Sequence, residues 1–96
     1  MARLNWTEQA AEDLKNIFDF ISIDSPKYAV IHIKRIREKA RLIKKQPKIG
    51  RIVPEIGNEN IRELIFGNYR IIYRIVSQDR LDVLTIYHSA RILKLY

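Results

Sequence analysis

The stretch Ile61-Arg62-Glu63-Leu64-Ile65-Phe66-Gly67-Asn68-Tyr69-Arg70-Ile71-Ile72-Tyr73-Arg74-Ile75 decides the fold. It reads as two β-strands joined by a tight Gly67-Asn68 turn, because Gly and Asn tolerate the positive φ such turns need. Leu84-Thr85-Ile86-Tyr87-His88 follows as part of a third strand, so three strands are expected over about 61–65, 69–76 and 81–88. In the middle strand Tyr69, Ile71, Tyr73 and Ile75 point one way, and Arg70, Ile72 and Arg74 the other. A two-residue turn sets Ile65 opposite Arg70 and Glu63 opposite Ile72, which leaves Glu63 diagonal to Arg70 and Arg74 on an exposed sheet face. Two readings of Glu63, Arg70 and Arg74 stand side by side. They form a cross-strand ion cluster over a wet face, or Glu63 holds the arginines ready for a phosphate or carboxylate.

Working towards the N-terminus, Lys48 to Asn60 holds Gly50, Pro54, Gly57 and Asn58 and reads as a loop. Before it, Ala29, Ile33, Ile36, Ala40 and Ile43 recur at helical steps, capped by Ser25 with Pro26 at the first helical position, and ended by Pro47. An earlier helix follows the Thr7 cap, with Ala10, Leu14, Ile17 and Ile21 on its apolar stripe, widened by Ala11 and Phe18. Glu8, Glu12 and Asp13 favour its positive end. Arg3-Leu4-Asn5-Trp6 alternates as a short first strand, with Trp6 in the core. A one- or two-residue break makes the helices an antiparallel hairpin, and Ala10, Ala11, Ala29 and Ala40 let them approach closely. The tail from Ser89 to Tyr96 adds a final helical turn. The fold class is α+β: a short N-terminal strand, a helical hairpin, then a three-stranded antiparallel meander (β-α-α-β-β-β), the hairpin covering one face of a four-stranded antiparallel sheet.

With 96 residues, 47% of them hydrophobic, the chain is expected to be one domain, 1–96. Cysteine is absent, which removes disulfide frameworks and thiolate metal sites. With His32 the only histidine besides His88, no metal site is expected, and no Gly-rich phosphate loop or cofactor motif is present. No apolar stretch is long enough to span a bilayer, so a cytoplasmic location is expected. The net charge is +7 and unevenly spread. Residues 7–24 carry Glu8, Glu12, Asp13, Asp19 and Asp24 against Lys15, whereas residues 25–51 carry ten bases against Glu38. Either the two helices neutralise each other through solvated pairs, or a basic stripe faces nucleic acid or an acidic partner.

The chain resembles the RelE/ParE superfamily of toxins from type II toxin–antitoxin operons, along nearly its whole length. The resemblance lies in Trp6 with Ala10 and Asp13-Leu14, in Asp24-Ser25-Pro26, and in Pro47, Gly50-Arg51 and Val53-Pro54-Glu55. It continues through Arg62-Glu63-Leu64, Gly67 to Tyr73, and His88 with Arg91. It implies a growth-arresting toxin without cofactors, neutralised by a cognate antitoxin in a hetero-oligomer that meets operator DNA only through the antitoxin. RelE-like members are ribosome-dependent ribonucleases that cut mRNA; ParE-like members poison DNA gyrase. No lysine lies between Arg51 and Lys94, where RelE-like enzymes place theirs, so the resemblance is closer to the ParE-like branch.

The alternative is a ribonuclease using Glu55, Arg62, Arg70, His88 and Arg91, with Glu55 or His88 as base or acid and the arginines on the phosphate. A second alternative is a plain basic nucleic-acid-binding module lying along the helix from Lys27 to Lys45. For the antitoxin, Lys34, Arg35 and Arg41 are the candidate contacts on the helical hairpin, opposite an acidic segment.

Overall fold

The computed structural model describes residues 2–88 of the chain. The elements are β1 (Arg3–Trp6), α1 (Glu8–Ser22), α2 (Pro26–Lys45), β2 (Arg51–Ile52), β3 (Ile61–Phe66), β4 (Tyr69–Ser77) and β5 (Arg80–His88). The expected tail helix lies outside the described residues.

Local chemistry sets the helix ends. The Thr7 hydroxyl accepts from Ala10 N at 3.1 Å and donates to the Leu84 carbonyl at 2.8 Å, so the cap of α1 also ties that helix to β5. Ser25 caps α2 by accepting from Tyr28 N at 3.1 Å, and Pro26 follows where a missing N–H costs nothing. Lys44 and Lys45 in the last turn of α2 complement the negative end of its dipole. Ala10, Ala29 and Ala40 are fully buried, as close helix approach requires, but Ala11 is exposed and takes no part.

The helices lie on one sheet face. Leu14, Ile17, Ile36 and Ile43 pack there with Leu64, Ile71, Tyr73, Leu81, Val83 and Ile86, and Trp6 is half-buried against this core. Gly67 takes φ +56° in the two-residue hairpin turn, and Ile65 faces Arg70 and Glu63 faces Ile72, as alternation predicts. Between β4 and β5 two irregularities offset each other: the register skips Val76 in one strand and Leu84 in the other. Tyr69 therefore lands opposite His88, the register that the Ser77–Arg80 turn sets.

The sheet corrects two expectations. It has five strands in the order β1-β5-β4-β3-β2, not four, and it is mixed, because β1 runs parallel to β5. The helical hairpin carries the chain back across the sheet, so the first and last strands run the same way. The fifth strand, β2, lies within the stretch expected as a loop and pairs Arg51 with Glu63 and Ile52 with Arg62. From there the chain folds over the sheet face away from the helices. Val53 and Ile56 pack on Ile72, Ile61, Leu84 and Tyr87 and form a second, smaller core.

Candidate functional site

The face away from the helices holds the carboxylate–guanidinium cluster, and it is closed rather than exposed. Glu63 is 1% exposed and Arg70 5%. Arg70 Nε donates to Glu63 Oε1 at 2.6 Å, while its two terminal nitrogens reach the two oxygens of Glu55 at 2.8 Å each. The second oxygen of Glu63 accepts from Arg51 Nε. The hydrogen bonds that Arg70 donates to Glu55 and Glu63, with the charges of those carboxylates, hold the guanidinium above its ordinary value against the opposing effect of burial. Arg74, expected beside Glu63, is exposed and outside the cluster. Arg51 from the unforeseen β2 takes the place beside Glu63, and Glu55 folds over Arg70 from the following turn.

Arg62 is likewise spent on the backbone. Its NH1 donates to the Gly50 carbonyl at 2.9 Å and its Nε to the Glu59 carbonyl at 3.0 Å. Nearby, the Tyr73 hydroxyl donates to the Pro47 carbonyl at 2.6 Å and accepts from Gly50 N at 2.9 Å. Burial pushes the Tyr73 phenol up, which keeps the proton it donates. These bonds fasten the chain leaving α2 onto β3 and β4.

His88 lies on the opposite side of the sheet. It pairs with Tyr69, whose ring it meets edge-on at 5.8 Å, and it lines a cleft of about 480 Å³ with Asp13, Asn16, Phe20 and Asn68. Arg70 pairs with Tyr87, and Tyr87 packs in the far-face core. The sheet thus separates His88 from Glu55, Arg62 and Arg70; Arg91 lies outside the described residues. Asp13, expected as a charge favouring the helix N-terminus, instead accepts from Ile86 N at 3.0 Å and from the Thr85 hydroxyl, docking α1 on the strand that ends in His88.

An aromatic chain crosses the helix side. His32 of α2 stands 5.8 Å from Tyr28, 5.6 Å from Phe66 and 5.7 Å from Tyr69. Its Nε2 is buried without a hydrogen-bond partner among the described residues. Burial first, and the Arg35 charge second, hold the imidazole below its usual value of 6.5. The folded state therefore binds this proton less readily than the unfolded chain. The neutral-ring stability is fully present above pH 6.5 and is lost as pH falls from 6.5 towards the lowered folded value. Replacing His32 by Phe should flatten the dependence of thermal stability on pH between about 7 and about 5 relative to the parent. An unchanged difference between the two proteins across that window would remove His32 from the acid response.

The two sides of α2 differ. Lys27, Lys34 and Arg41 recur every seven residues on one flank, and Arg37 on that flank stacks over Trp6 of β1, 5.9 Å from the ring. Arg35 stands on the other flank with half-exposed Tyr28, Ile31 and Leu42, and there a shallow cleft of about 280 Å³ runs between Arg35, Glu38, Lys39, Leu42 and Phe66. Lys34, Arg35 and Arg41 are all exposed, with Lys34 and Arg41 seven residues apart on one flank and Arg35 about 100° round the helix from Lys34. Among the described residues the ion pairs are Arg51–Glu63, Arg70 with Glu55 and Glu63, and Arg80–Asp82. None of these joins α1 to α2.

Residues 4–93 match the family model described as ParE toxin of the type II toxin–antitoxin system parDE. The chain belongs to the ParE toxin family. A solved structure described as the chromosomal ParDE toxin–antitoxin system from P. aeruginosa has the same fold, with a TM-score of 0.74 and 23% identity. The match covers 92% of this chain and 96% of that one. No curated relative matches the chain.

In this ParE-family chain, Arg51, Tyr73 and His32 were missed as partners by sequence reasoning. Gly50-Arg51 after Pro47 was the available signal for the first, since a glycine before an arginine beside a strand permits close backbone approach. Tyr73 gave none, because its partners lie 23 or more residues away; for His32 the i−4 spacing to Tyr28 on the same helix was the available signal, while Phe66 and Tyr69 come from β3 and β4.

Proposed function

We propose that this ParE-family toxin arrests growth by inhibiting DNA gyrase and is neutralised by a cognate antitoxin in a hetero-oligomer. The separation of His88 from Glu55, Arg62 and Arg70 by the sheet is the observation that carries this over RNA cleavage. Transphosphorylation needs a base, an acid and free positive charge converging on one phosphate. Here Arg70 directs Nε and both terminal nitrogens at carboxylates, Arg62 is bound to two carbonyls, and His88 faces α1. An incoming phosphate would have to displace Glu55 from Arg70 before meeting any catalytic group.

The antitoxin occupies the apolar flank of α2. Tyr28, Ile31 and Leu42 beside Phe66 offer spaced anchors for an amphipathic segment, and Arg35 and Lys39 at the same cleft suit acids along its rim. Arg35 then belongs to that contact, and Lys34 and Arg41 do not.

The test pairs two reactions using a toxin batch already shown to arrest growth on expression. In supercoiling by purified gyrase, strong inhibition that added antitoxin reverses is expected. In cell-free translation from pre-made mRNA, where gyrase plays no part, protein output should stay unchanged. Cleaved mRNA with normal supercoiling would overturn the gyrase reading and return Glu55, Arg70 and His88 to the catalytic question.

A further inference from the structure

We propose that the basic flank of α2 is a binding surface for the phosphate backbone of duplex DNA, used by the toxin itself. Lys27, Lys34, Arg41 and Lys45 form its stripe, all exposed and none ion-paired among the described residues. Steps of seven residues advance about 10.5 Å along a helix, close to the ~10.2 Å that three nucleotides of one DNA strand advance. Lys27 to Lys45 extends for about 27 Å along the 20-residue helix, enough to follow a strand through several phosphates.

Charge selects the occupant. Arg37 and Lys44 add to the stripe, giving six bases on the flank against one exposed acid of the same helix, Glu38, one turn from Lys34 and Arg41, whereas the neighbouring α1 presents three exposed acids, Glu8, Glu12 and Asp19. A second copy laid acid to base would leave half of the six bases unmatched; a phosphate backbone offers each of them a partner. Among the described residues, Trp6 on this side is half-buried beneath Arg37 rather than free to stack an unpaired base. That favours a duplex read through its phosphates over a single strand. The apolar flank that takes the antitoxin lies on the other side of α2, so one helix serves both partners.

The experiment measures binding of the full-length purified toxin to a fluorescent duplex DNA of arbitrary sequence by anisotropy, between about 50 and about 200 mM salt. Four phosphate contacts predict an affinity loss of about 150-fold across that range, and Lys34→Gln/Arg41→Gln/Lys45→Gln should reduce the loss to about fourfold. Should the triple variant fail to fold, the single variants decide. Lys34→Gln should lower the logarithmic salt slope by about 0.9, and Arg74→Gln, which removes an exposed base from β4, should leave it unchanged. Three results would each overturn the proposal. They are no binding at the lower salt, equal slopes for Lys34→Gln and Arg74→Gln, and variants that lose poly-glutamate binding while keeping duplex DNA, which would assign the flank to an acidic protein. Growth arrest is scored separately, so failure here leaves the gyrase reading standing.

Discussion

Replacing Arg70 by alanine should cost about 3 kcal/mol of stability, the lower end of what removing one member of a buried ion pair costs. For a domain of this size the melting temperature should fall by roughly 12–24 °C. Glu63 is the cause. Its side chain has no solvent exposure and is held by Arg70 on one oxygen and Arg51 on the other. Alanine leaves a buried carboxylate with a single partner that is itself 67% exposed. Glu55 loses less, because its side chain is 30% exposed and water can replace the guanidinium. Arg70→Lys should recover only part of the loss, since an ammonium cannot bridge two carboxylates as a planar fork does. The double change Arg70→Met/Glu63→Leu should be closer to the parent than Arg70→Ala, because it removes the stranded charge along with its partner. A fall of less than about 5 °C for Arg70→Ala would show that water already reaches this cluster.

The same residues mark the limit of what alternation reveals. The register of Glu63 against Ile72 and Ile65 against Arg70 follows from the two-residue turn and was legible. So were both helix caps, where Thr and Ser stand before an apolar periodicity. Whether the Glu63 face is wet or closed was not legible, because the covering segment holds Gly57, Asn58 and Pro54 and carries its apolar residues, Val53 and Ile56, without a period. A sheet face becomes buried by what lies over it, and a strand's own sequence does not specify that cover. The parallel pairing of β1 was hidden for a related reason: four residues of alternation give a strand but not its neighbour. In the candidate site, the bases of α2 were visible as charge, while their division into two flanks became informative only once Trp6 and Phe66 fixed which side meets β1 and which meets β3.

Gly50→Ala should be nearly as damaging, at about 2–4 kcal/mol, although the position demands no unusual backbone angle. Space is what forbids the methyl group. A Cβ at Gly50 would stand 2.5 Å from the Glu63 carbonyl oxygen and 2.8 Å from both Cε1 and the hydroxyl of Tyr73. The first neighbour is backbone in the middle of β3, and the second is a fully buried ring held at its hydroxyl by Pro47 and Gly50. Neither can step aside, so the segment leading into β2 must lift away from β3. Lifting it stretches the Gly50 N–H bond to Tyr73, the Arg62 bond to the Gly50 carbonyl, and the approach of Arg51 to Glu63. Tyr73→Phe gives an independent handle, since it removes the hydroxyl that the new methyl would meet while leaving Gly50 N–H and the Pro47 carbonyl without that partner. Because both single changes break the Gly50–Tyr73 bond, the double variant should lose less stability than the two single losses added together. Denaturant unfolding of the four proteins measures that coupling. Additive losses, or a Gly50→Ala cost under about 1 kcal/mol, would mean that β2 can move off the sheet at little expense and that its tight seating does not hold the far face closed.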